Sequence, residues 1–221
     1  MKKKIAMIMM VCCVGLIGCA NETVPASATV SAMQSTEKQT ITSIAETKTI
    51  VETVETRENA NFRNAYWGDD IETVKKYETD ILWTEETQKA IIGKSKVLNM
   101  NVDIGFTFGD GKLYQGAIMF NYNDHTNDNL YIDDYNTIKN ALKEKYGEPN
   151  EDKQVWKNDL FKGDVSHYGT AISCGQLQYL AIWENENTRI ILGLIGDNYK
   201  INLGIIYENV NHKEEINNSG L

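Results

Sequence analysis

Cysteine is scarce and unevenly placed in this chain of 221 residues: Cys12, Cys13 and Cys19 crowd the first nineteen positions, and Cys174 stands alone. A disulfide framework needs pairs spread through the fold, so the folded part must rely on a hydrophobic core. Cys174, between Ile172 and Leu177, reads as a small buried hydrophobe before it reads as a nucleophile. Positive charge is short as well, with 22 Lys and Arg against 31 Asp and Glu, a formal net charge of -9. That balance leaves no basic patch to neutralise a phosphate backbone, which argues against nucleic-acid binding. Nor does the apolar run Ile5–Ile17 reach the roughly 20 residues of a membrane-spanning helix.

Motifs that carry chemistry are also missing. Gly-x-Ser-x-Gly, His-Glu-x-x-His and Cys-x-x-Cys do not occur, and Gly109-Asp110-Gly111 lacks the helix entry and lysine of a phosphate loop. The histidines His125, His167 and His212 fall in loops and in the tail. Asp124, Thr126 and Asp128 have the alternate spacing of a calcium loop, yet the positions that need Gly and Glu hold Asn129 and Tyr135. Asp69-Asp70 and Asp133-Asp134 stand at helix starts, where capping accounts for paired acids. No metal site and no cofactor are expected.

What is present begins at the N-terminus. Lys2, Lys3 and Lys4 precede the apolar run, which ends in Gly18 and Cys19, the layout of an export signal. Leu16-Ile17-Gly18-Cys19 resembles the lipobox of bacterial lipoproteins. The resemblance implies that residues 1–18 are removed and that the Cys19 thiol carries a diacylglycerol. It also implies that the protein sits on the extracytoplasmic face of the cell membrane. Loss of the three lysines leaves 19 basic residues against 31 acidic ones, about -12 in net charge, so acyl chains and not surface charge must hold the membrane.

Residues 19–60 form the lipidated end and a tether. From Ala20 to Asn59 there is no aromatic residue and no glycine, and Thr, Ser, Glu, Ala and Lys dominate. Such a segment buries too little apolar surface to offset its ordering entropy, and about forty flexible residues reach some 35 Å. Composition changes at Phe62-Arg63-Asn64-Ala65-Tyr66-Trp67-Gly68, and a single domain is expected over 61–209, followed by a polar tail over 210–221. Asp69, with Glu72 three residues on, predicts a capped short helix to about Glu78 whose stripe is Ile71, Val74 and Tyr77 or Glu78.

Val102, Ile104, Phe106 and Phe108 alternate with polar or small residues, turn at Gly109-Asp110-Gly111, and return with Tyr114, Ile118, Phe120 and Tyr122 on one face. Gly116 is expected on the opposite, thin face of that returning strand. Ala90–Leu98 and Val155-Trp156 are short strand candidates. A second helix carries Tyr135, Ile138, Ala141, Leu142 and Tyr146 and stops at Gly147. Strands follow at Leu177–Trp183, Thr188–Ile195 and Ile201–Tyr207.

This order predicts an α+β fold, an antiparallel sheet of five to six strands with two helices on one face. Trp67-Gly68, Val74 and the glycine-turned hairpin resemble the β-lactamase-inhibitor proteins and the small lipoproteins of outer-membrane assembly. The helix around Tyr135–Tyr146 departs from the two-helices-first order of that group. The resemblance implies action by protein binding, and so an adaptor with an envelope protein as partner. Phe62, Tyr66 and Trp67, or the sheet's open face, are the candidate binding surface, which an exposed aromatic patch rimmed by acids would support. The alternative is a cell-envelope hydrolase using His167, Cys174 or a carboxylate pair, and it requires His167 within reach of a nucleophile or carboxylate.

Overall fold

The computed structural model describes residues 57–120 and 125–212, all within the unit Val54–Leu221. Cys19, the tether before Arg57, Tyr122, Asp124 and the tail after His212 lie outside the described residues.

Helix α1 (Ile71–Tyr77) leads into four strands, β1 (Leu82–Glu86), β2 (Ala90–Val97), β3 (Met100–Gly109) and β4 (Lys112–Phe120). Helix α2 (Leu130–Tyr146) then leads into β5 (Glu151–Trp156), a short helix α3 (Tyr168–Ser173), and β6 (Leu177–Glu184), β7 (Thr188–Asp197) and β8 (Lys200–Asn209). Each half is thus a helix followed by a four-strand antiparallel meander, with α3 inserted in the second. The halves join along their last strands, giving one sheet ordered β1-β2-β3-β4-β8-β7-β6-β5.

The α+β class and the single antiparallel sheet agree with the sequence, but among the described residues there are eight strands and three helices, not five to six and two. Two elements account for what the sequence hid. β1 is an edge strand of five residues, Leu82-Trp83-Thr84-Glu85-Glu86, with only two apolar side chains and so too few for a period to register. α3 has six residues including Gly169, too few for a helical period to register.

Local chemistry explains the ends of the elements. The cap of α1 is Asp70, whose Oδ1 accepts the Thr73 N–H at 2.8 Å, and not Asp69. α2 stops where Gly147 takes φ +82°, its N–H bonded to Lys143 O at 2.9 Å, and Trp183 Nε1 fastens that end by donating to Gly147 O at 2.8 Å. Leu98-Asn99, Asp110-Gly111 and Asn198-Tyr199 all have positive φ, the two-residue turn geometry that suits a twisted hairpin.

The helices lie on one face of the sheet. Val102, Ile104, Phe106 and Phe108 of β3 point to it, with Leu203, Ile205 and Tyr207 of β8 and Ile190, Leu192 and Leu194 of β7. Tyr135 of α2 meets Tyr179 of β6 edge-on at 5.4 Å between centroids. Burial pushes the Tyr179 hydroxyl pKa up to about 12.

One expectation for β4 is corrected. Phe106 pairs with Gly116 and Ile104 with Ile118, so Gly116 shares the helix-side face with Ile118 and Phe120. A bulge at Tyr114 then puts Leu113, 1% exposed, into the core opposite Phe108. The displaced Tyr114 stacks on His212 at 4.0 Å.

Close approach of α3 to β7 depends on Gly196, where an added Cβ would lie 2.0 Å from Ile172 O, a backbone atom. Gly196→Ala must therefore push α3 off the sheet. Urea unfolding should show a loss of at least the roughly 1–3 kcal/mol typical of overpacking, and an unchanged midpoint would contradict this packing.

Candidate functional site

The aromatic strip Phe62–Gly68 lies against the start of β4. Gly68 N–H donates to Leu113 O, and Leu113 N–H donates to Asp69 O, both at 2.8 Å. Phe62 turns inward and is 1% exposed, its ring 5.1 Å from Phe106 and 5.0 Å from Tyr207 between centroids. It covers Gly116, where an added Cβ would meet the ring at 2.1 Å. A ring enclosed in this way has no face to offer a ligand.

Trp67 is half-buried, and its Nε1 donates to Thr188 Oγ1 at 2.9 Å, tying the strip to β7. Its backbone N–H donates to Asn61 Oδ1 at 2.9 Å. Tyr66 is half-buried too, and its hydroxyl donates to Glu58 O at 2.6 Å. The Arg57 guanidinium lies over the Tyr66 ring at 4.0 Å and the Tyr77 ring at 4.6 Å, and it pairs with Asp69. Asp69 also accepts the Tyr66 N–H at 2.8 Å, which is why the helix cap falls to its neighbour.

Sequence reasoning missed the charged bolt behind this strip. Arg63, at the left-handed φ of 53°, aims its Nε at Glu78 Oε2 at 2.8 Å, while its Nη2 reaches Asp80 Oδ1 at 2.6 Å. Asn64 N–H donates to the other Glu78 oxygen at 2.8 Å, and Ser95 Oγ donates to Asp80 at 2.8 Å. The Glu78 side chain has no exposed surface. Burial pushes its carboxyl pKa up despite the opposing pull of Arg63 and of the Asn64 amide. Asp80 is more exposed; burial is outweighed there, and the bonds from Arg63 and Ser95 hold its pKa down. The available signal was positional, since an arginine one residue after the strip's first aromatic and two acids just past α1 meet only through the turn at Arg63-Asn64.

His167 lies within reach of a carboxylate and a hydroxyl. Its Nδ1 is 2.8 Å from Asp164 Oδ2 and 3.1 Å from Ser166 Oγ, while Ser166 Oγ is 2.6 Å from Asp164 Oδ1. Asp164 stays ionised because Ser166 and His167 hydrogen-bond it and lower its pKa, so it only accepts and Nδ1 must carry the proton. That nitrogen has no lone pair for the serine proton, and Ser166 already donates to the same aspartate. A hydrolytic triad needs the two partners on opposite ring nitrogens. Here the trio caps the 3₁₀ turn Val165–His167. Cys174, half-buried at the end of α3, shares no hydrogen bond with His167 among the described residues. Among the described residues, no group of three His, Cys, Asp or Glu side chains is placed to hold a metal.

Large apolar side chains are exposed elsewhere. Strand directions put the β2–β3 turn, the β7–β8 turn and the β5–α3 segment at one end of the sheet. Arg57, the aromatic strip, Leu113 and Thr188 stand at the other. At the first end Leu98 is 47%, Leu160 74%, Val165 69% and Tyr199 81% exposed. Asp159, Asp164 and Asp197 stand exposed among them. On the face opposite the helices, Ile92, Ala117, Ile206 and Ile182 belong to one cross-strand row and are each at most 6% exposed.

Compared with protein-family models, with curated proteins and with solved structures, the chain gives no match.

Removing Arg63 strands a buried carboxylate, so Arg63→Ala should cost about 3–5 kcal/mol in chemical denaturation near neutral pH. A raised carboxyl pKa in the folded state favours folding most below the ordinary glutamate range, and this contribution is lost as pH rises through the folded value. The deficit of Arg63→Ala should therefore shrink from about pH 7.5 to about pH 4.5, where Glu78 can fold neutral. A deficit that grows on acidification would contradict the burial of Glu78.

Proposed function

We propose that the chain is a lipid-anchored extracytoplasmic adaptor that docks an envelope protein on the end of its sheet remote from Arg57. One observation carries the docking half of this reading: at that end the β5–α3 segment exposes Leu160 and Val165 and the β7–β8 turn exposes Tyr199, with Asp159, Asp164 and Asp197 exposed on the same connections. Exposed apolar groups of this kind on a rigid frame, rimmed by polar ones, mark interaction surfaces. Tyrosine adds a large amphipathic contact at low entropic cost. The resemblance of Leu16-Ile17-Gly18-Cys19 to a lipobox supports the anchor. Phe62 and Trp67 take a supporting role in this reading, holding the end where the described chain begins.

Two experiments test the halves separately. Cys19→Ala should release the full chain from membranes on fractionation, and unchanged fractionation would remove the lipid anchor from the reading. For docking, chemical crosslinking of the full-length chain in intact cells should give a defined adduct that Leu160→Asp with Val165→Asp reduces at least about tenfold, the loss expected when about 1.4 kcal/mol of apolar contact goes. Trp67→Phe should leave the adduct in place. An adduct indifferent to the aspartate pair would place the docking surface elsewhere.

A further inference from the structure

The Arg57 guanidinium occupies a site built entirely of acceptors. Asp69 offers both carboxylate oxygens, one to Nη1 and the other to Nη2 at 3.3 Å, and Asn64 O lies 3.4 Å from Nη1. Tyr66 and Tyr77 present ring faces at 4.0 and 4.6 Å. The Arg57 and Asp69 side chains are only 17% and 13% exposed. Two π faces, a forked carboxylate and a carbonyl match a planar, delocalised cation better than a compact ammonium. The four walls come from the strip and from α1, which stay fixed without Arg57, because Asp69 is held by Tyr66 N–H and the strip by Leu113 and Thr188. The occupant comes from the first described residue of the chain, and among the described residues the strap behind it is held by the Tyr66 hydroxyl on Glu58 O and by the bonds of Asn61 to Ala65, Trp67 and Thr188.

We infer that Tyr66, Tyr77, Asp69 and the Asn64 carbonyl form an arginine-recognition site, filled in cis by Arg57 and open to an arginine side chain of a partner polypeptide when the 57–61 strap is released. A cis side chain has a high effective concentration, so in the unaltered chain free ligand takes the site only in large excess. This inference is independent of the apolar docking end and stands or falls without it.

The test uses the full chain with Arg57→Ala and N-acetyl-arginine amide as probe, followed by NMR of the tyrosine rings. The variant should bind at least about tenfold more tightly than the unaltered chain, a difference of about 1.4 kcal/mol, and should shift the Tyr66 and Tyr77 resonances. N-acetyl-citrulline amide, equal in shape but uncharged, should not bind, and Tyr77→Leu in the same background should abolish the shifts. Equal binding by variant and unaltered chain, or equal binding of citrulline, would overturn the inference. A second measurement needs no variant: in the unaltered chain, excess arginine amide should move the Arg57 Nε–H signal toward its free position, while citrulline amide does not. An Arg57 signal indifferent to arginine amide would also overturn it.

Discussion

Everything at the N-terminal end of this domain depends on one contact, the ring of Phe62 lying on Gly116. A glycine in the middle of a central strand removes the side chain that would stand there, and the aromatic ring fills the space between Phe106 and Tyr207. β4 and β8 are the strands along which the two halves of the sheet meet, so this ring covers the join itself. With Phe62 fixed, the turn at Arg63-Asn64 can deliver a guanidinium to the buried Glu78, and Trp67 can reach Thr188. The apolar contact positions the charged one: an ion pair this deeply buried is held only where its geometry is fixed, because desolvation consumes much of its Coulomb energy.

The legible parts of the fold were those with a clean period. The alternation Val102-Ile104-Phe106-Phe108 and the stripe Tyr135-Ile138-Leu142 both point where the pattern says, into the shared core. Misreadings arose where one residue broke a period. The bulge at Tyr114 carried Leu113 to the core face, while β1, five residues at the sheet edge, has too few apolar positions to show a period. Gly116 reads as thin-face because a missing side chain looks like an exposed one in sequence; what fills the gap is Phe62, an aromatic residue over fifty positions earlier. Composition could find the aromatic strip at Phe62–Trp67 but not its role, since an aromatic residue that binds and one that bolts look the same in sequence.

The candidate site follows the same logic. His167, Ser166 and Asp164 are close in sequence and close in space, yet adjacency within a 3₁₀ turn places serine and aspartate on the same ring nitrogen. In that arrangement Ser166 cannot give its proton to the imidazole, and the contacts serve the cap of the turn. The apolar end of the sheet was invisible for a different reason: Leu160 and Tyr199 belong to separate connections, and only the strand directions put both at the same end of the sheet.

The central claim is that the strip from Phe62 is a structural bolt on Gly116, and a double-mutant cycle tests it most directly. Unfolding free energies would be measured for the unaltered chain, Phe62→Ala, Gly116→Ala and the double variant. Phe62→Ala should cost about 3–5 kcal/mol, while Gly116→Ala, costly alone, should be close to neutral once the ring is gone, leaving a coupling above about 1 kcal/mol. Additive effects, or a Phe62→Ala variant as stable as the unaltered chain, would contradict the account.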